Sequence, residues 1–190
     1  TPIGRYPTYA PDRPLARWAD GCPVCQPTMW LRPEALRAIL PMDTTLHTAF
    51  GFDAWLRLFS AFPGRVGHLP TLQARSRLHA TGITLTQRRH VALEALQVIH
   101  RHLGPAPGHW LLTYADELRR NLPDEEPVPL SSRLAQLLNE AREWLSLESA
   151  QEVALRWRND RSVQIAKPEA VLDVYPDGWL SRLTAMRLRV

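Results

Sequence analysis

Between Cys25 and His79 the hydrophobic pattern changes period several times, and each change is punctuated by proline or glycine. The run Val24 to Leu31, with Thr28, Met29 and Trp30, predicts a half-buried strand that ends at Pro33. Pro33 also suits the first turn of a helix, which the pattern carries to Leu40 before Pro41 closes it. Next, Phe52, Trp55, Leu56 and Phe59 recur at i, i+3, i+4 and i+7, so a second helix buries that stripe. From Arg65 to His79 the pattern predicts a strand, a turn near Pro70 and a second strand. Arg75, Arg77 and His79 then share one face, because alternate residues of a strand point the same way.

The downstream half reads as helices. Thr86 to Leu103 predicts a long amphipathic helix with Val91, Ala95, Val98, Ile99 and Leu103 on one side, stopped by Gly104 and Pro105. Its basic start, Gln87-Arg88-Arg89-His90, opposes the helix dipole. A further helix is predicted from His109 to Arg120. The stretch NLPDEEPVPL, 121 to 130, has linker composition, and Ser131 then caps a helix with Leu134, Leu137, Leu138, Ala141 and Leu145 along its stripe. Beyond Ala150, β-branched residues cluster at 163–166, 171–175 and 183–190, with Pro176-Asp177-Gly178 as a turn, which predicts short C-terminal strands.

The segments Gln26-Pro27-Thr28-Met29-Trp30-Leu31-Arg32, Phe52-Asp53-Ala54-Trp55-Leu56-Arg57-Leu58 and Arg75-Ser76-Arg77-Leu78-His79, in that order and at those distances, resemble the acceptor-side half of family 2 glycosyltransferases, enzymes of the GT-A fold. The resemblance spans about residues 20 to 104. It implies an α+β, helix-rich chain: a partial GT-A-like sheet with flanking helices, then a helical segment and the C-terminal strands. It divides the chain into an acceptor-side portion with trailing helices (1–121), a linker with an amphipathic helix (122–160) and the start of a β-rich, sandwich-like module (161–190).

For activity, the resemblance implies transfer of a sugar from a nucleotide-sugar donor to a glycan acceptor with inversion, in envelope or surface polysaccharide synthesis. The complete enzyme is then expected to use Mg²⁺ or Mn²⁺. This chain contains no D-x-D and no Gly-rich phosphate loop, so a nucleotide-binding half is expected elsewhere. Arg75, Arg77 and His79 are implied at the donor diphosphate, with His79 as a metal ligand; the same three side chains also fit an edge strand facing water. Trp30 is a candidate for stacking on sugar, or for the core. Asp53 and Arg57 stand four apart, which fits a solvated ion pair as well as a role beside the acceptor. The pattern departs from the family at one point: the catalytic carboxylate falls on Phe50 and Gly51, which leaves Asp53, matched to the second aspartate of the pattern, as the catalytic candidate. A module that has lost its base and serves carbohydrate binding or assembly is the alternative.

Charge narrows the remaining classes. The net charge is +4 with pI near 9.6, yet Lys167 is the only lysine and the arginines are dispersed among acids. A nucleic-acid face concentrates charge in a patch, so nucleic acid is disfavoured. Cys22 and Cys25 form a C-x-x-C without two further ligands at zinc spacing, which favours packing. No stretch has the length and apolarity of a membrane span and no signal peptide is evident, so a cytoplasmic place, including the inner face of a membrane, is expected.

Overall fold

The computed structural model of the protein describes residues 14–75, 81–121 and 130–159 of the chain. Two compact units divide between Pro107 and Gly108.

In the first unit, a 3-10 turn at Leu15–Asp20 precedes a second at Gln26–Thr28, followed by α1 (Pro33–Ile39), α2 (Phe50–Ala61), α3 (Ile83–Thr86) and α4 (Arg88–Leu103). Helix α1 packs on α2, and α2 on α4, while the first 3-10 turn lies against both α2 and α4. The core is built from Trp18, Ile39, Leu46, Ala54, Leu56, Leu58, Leu96, Val98 and Ile99, all buried. Trp18 closes it by setting its ring 4.6 Å from that of Phe59, tilted by 58°. Burying such side chains is what stabilises a small helical unit, at about 1.5–3 kcal/mol for each large one.

Helix α4 starts later than the apolar spacing implies. Gln87, at φ −117° and ψ 40°, leaves the helical region and separates the single turn of α3 from α4. At the other end Gly104 has φ 89°, a left-handed conformation suited to glycine, and its N–H donates to His100 O at 3.2 Å. The last turn holds His100, Arg101 and His102, where positive charge complements the helix dipole.

The second unit contains α5 (His109–Asn121), α6 (Leu130–Ala141) and α7 (Leu147–Asn159), each packed on the other two. Leu111, Ala115, Leu134, Leu137, Leu138, Ala141, Val153 and Trp157 are its buried residues. Gly108 allows the start of α5 to sit against α7: a Cβ there would lie 2.6 Å from Val153 Cγ2 and 3.0 Å from Ser149 O. Ser146 caps α7, its Oγ accepting from Ser149 N at 3.0 Å. The stripe expected from Ser131 to Leu145 is therefore broken: α6 ends at Ala141, and Leu145 is buried from the turn before α7.

The expected sheet is absent from the described residues. Among the described residues there are seven α-helices and no β-strand. The Val24 to Leu31 segment does have extended backbone at Cys25 and Met29, but Gln26–Thr28 forms a 3-10 turn closed by Thr28 N to Cys25 O (2.9 Å) and Met29 N to Gln26 O (3.2 Å). Pro23 and Pro27 remove two ladder donors, and among the described residues no strand is present to pair with this segment. Residues 65–75 form no strand for related reasons, since Gly64, Gly67 and Pro70 interrupt any run long enough to pair. The strands expected after Ala150 fall on 161–190, outside the described residues, as do Arg77, His79 and the linker positions 122–129.

Candidate functional site

Helix α2 has a poor start of its own. Its N-cap is Ala49, which has no side-chain oxygen to offer the first-turn donors. Glu94, in the middle of α4, supplies what is missing. Its Oε2 accepts from Thr48 N (2.7 Å), Ala49 N (2.9 Å) and the Thr48 hydroxyl (2.8 Å), and its Oε1 accepts from His47 N (2.9 Å). Burial would raise the pKa of this carboxyl, but the backbone donors of His47, Thr48 and Ala49 outweigh it and hold the group below its ordinary value.

The second buried acid is Asp53, one turn into α2 and 2% exposed. Its Oδ1 receives His102 Nε2 at 2.7 Å and Arg101 Nη1 at 3.1 Å, and its Oδ2 receives Arg57 Nε at 2.9 Å. Arg101 reaches on to Asp43 Oδ2 at 2.8 Å. Burial again opposes ionisation, and the bond from His102 with the charge of Arg57 overcomes it, so the pKa of Asp53 is lowered. Asp43 is held at about 2, first by the Thr45 hydroxyl and then by Arg101. Two carboxylates therefore tie the stretch from His47 to Asp53 onto α4, one on each side of Gly51.

Gly51 itself faces a different group of residues. A Cβ at this position would stand 3.7 Å from Gln26 Oε1 and 3.7 Å from Trp55 Nε1. Trp55 is one helical turn beyond Gly51 and 6% exposed, and Gln26 belongs to the 3-10 turn. Residues from two of the three sequence segments thus meet at one place. Trp30, four residues after Gln26, is 81% exposed, in contrast to the buried Trp18, Trp55 and Trp157.

The candidate residues separate accordingly. Asp53 and Arg57 are bonded to each other and, through Asp53, to α4; Arg57 also lies 3.4 Å from Pro41 O. Trp30 and Arg75 are exposed. Sequence reasoning missed Glu94, Arg101, His102 and Asp43. Glu94 had a signal: it is the one acid inside the run Ala92 to Leu96, whose other members are apolar. Neither Cys22 nor Cys25 is in a disulfide; Cys22 Sγ donates to Val24 O at 3.6 Å, and burial pushes its thiol up to about 11, so it stays protonated at neutral pH.

No group of three or more His, Cys, Asp or Glu is placed to hold a metal ion among the described residues, and none of their helices is long and apolar enough to cross a membrane. No family model, curated protein or solved structure matches the chain.

Proposed function

We propose that residues 20–104 serve as the acceptor-facing, helical part of a family 2-type inverting glycosyltransferase, working with a nucleotide-sugar donor and a glycan acceptor at the cytoplasmic side of envelope polysaccharide synthesis. The observation that carries this reading is the meeting of Gln26 and Trp55 at Gly51, where the family's base is expected. Exposed Trp30 adds a flat apolar surface of the kind sugar rings stack on. The Mg²⁺ or Mn²⁺ expected for the complete enzyme would neutralise the departing diphosphate. The described residues assign it no ligand.

In such a reaction a carboxylate takes the proton of the acceptor hydroxyl as its oxygen attacks the anomeric carbon. Position 51 supplies none. That observation favours a second reading, in which the module has lost its base and binds carbohydrate without turning it over. The two readings separate in one experiment. In the complete protein, Gly51→Asp should raise transfer at least about a hundredfold if the lost base is all that is missing. Saturable glycan binding that weakens in Trp30→Ala, with transfer unchanged by Gly51→Asp, selects the binding module. The absence of both glycan binding and a gain in transfer sinks both readings.

A further inference from the structure

We propose that His47 and His90 form a two-imidazole site for a divalent cation that prefers nitrogen ligands, represented by Zn²⁺, and that the bound ion clips the segment before α2 onto α4. Both histidines are exposed, the His47 side chain at 73%, and their ring centroids lie 6.2 Å apart at an interplanar angle of 43°. Two imidazoles on one tetrahedral Zn²⁺, at the usual Zn–N distance, hold their centroids about 5 Å apart, so the rings need to close by only about 1 Å. Small side-chain rotations of two solvent-facing rings supply that movement.

Glu94 prepares the ring of His47. Its Oε1 stands 3.5 Å from His47 Nδ1, while the same oxygen accepts from the His47 backbone N–H at 2.9 Å. A carboxylate beside Nδ1 favours the proton on that nitrogen, which leaves the Nε2 lone pair for a cation. His90 precedes Glu94 by four positions on α4, so the two share a helix face, the one that meets His47. Glu94 is not itself a ligand, because its oxygens are taken by His47, Thr48 and Ala49. No third ligand completes the set among the described residues, so water takes the remaining positions. Imidazole suits Zn²⁺, Ni²⁺ and Cu²⁺, whereas Mg²⁺ takes oxygen. The positive end of α4, which begins with Arg88 and Arg89, works against any cation, and the charge of Glu94 offsets it. The affinity is therefore that of an open two-ligand site, below that of a closed structural one.

The full chain, stripped of metal with a chelator, is titrated by calorimetry at neutral pH with ZnCl₂ and separately with MgCl₂. The expected result is one saturable Zn²⁺ site and no Mg²⁺ binding. The Zn²⁺ dissociation constant should rise at least about tenfold in His47→Gln and in His90→Gln, and the double variant should lose little more, because either ring alone has lost its partner. Both positions are exposed, so circular dichroism should show each variant folded. Amide hydrogen exchange gives a second readout: with Zn²⁺ at ten times its dissociation constant, protection at Leu56 and Leu58 in α2 should rise about tenfold in the native chain and in neither variant. Undetectable Zn²⁺ binding, a site that survives either histidine substitution, or one that is lost instead in Cys22→Ser overturns the proposal. The site rests on two imidazoles and not on a glycosyltransferase's oxygen-bound ion, so failure of that reading leaves it standing.

Discussion

Replacing Glu94 with alanine should uncouple the start of α2 from α4. The carboxylate accepts three backbone N–H groups and one hydroxyl, and it is 8% exposed. In Glu94→Ala the His47 N–H can turn to water, because His47 is exposed, whereas Ala49 is buried and its N–H is left without an acceptor. One buried orphan costs about 1–3 kcal/mol, and losing a helix cap costs about 0.5–2 kcal/mol. Relief from burying a charge and the better helix propensity of alanine offset part of this. A net loss of about 3 kcal/mol is expected, or roughly a hundredfold in the opening equilibrium. Amide hydrogen exchange reads it by unit: protection at Leu56 and Leu58 in α2 should fall by that factor, while Leu111 and Val153 in the second unit keep theirs. Glu94→Gln, which retains one carbonyl oxygen, should fall between the two. A loss below about 0.5 kcal/mol, the level of an ordinary surface change, would falsify the assignment of Glu94 as the cap.

Three further outcomes follow from the same contacts. Glu94 and Asp53 both have folded pKa values below their ordinary 4.5 and 3.8, so their contribution is fully present above those values and is lost as the pH falls through the lowered ones. Acid titration followed by circular dichroism should show stability declining below about pH 4.5, and Glu94→Gln should flatten the upper part of that decline; an unchanged profile contradicts the linkage. Gly108→Ala should destabilise the second unit by about 1–3 kcal/mol, because its Cβ would press on Val153 Cγ2 and Ser149 O; urea unfolding at or above wild-type stability would show that α5 and α7 separate easily. Cys22, raised to about 11, should react with iodoacetamide at neutral pH far more slowly than a free thiol of ordinary pKa, and mass spectrometry showing equal rates would contradict its burial.

The helices were legible where one face is apolar and the ends are marked. Pro33 and Pro41 bracket α1, the Phe52 to Phe59 stripe located α2, and Gly104 ended α4. Strands were misread because extended apolar runs such as Cys25 to Arg32 look the same whether or not a neighbour completes the ladder. Pairing is a property of two segments, and sequence shows them one at a time. The same limit hid the polar contacts. Arg57 beside Asp53 follows from a spacing of four, but the reach of Asp53 to Arg101 and His102, and of Glu94 to Thr48, crosses more than forty positions and leaves no local pattern. Gly51 was visible as a departure from the family's carboxylate. That the indole nitrogen of Trp55 looks onto it was not, because the apolar stripe marked that ring only as core.

The double tie of His47 to Asp53 onto α4 also bears on how freely the chain between α2 and α4 can vary. Because side-chain carboxylates hold the two helices together at both ends of that stretch, none of these bonds depends on the exposed residues Gly67 to Leu72 between them. Loop closure grows slowly with length, about 0.6 kcal/mol for each doubling, so insertions around the exposed residues Gly67 to Leu72 should be tolerated. A single residue added between Thr48 and Asp53 would instead move Asp53 out of reach of Arg101 and His102. Variation in this chain is therefore cheap in the long connection and costly in the short stretch that holds Gly51.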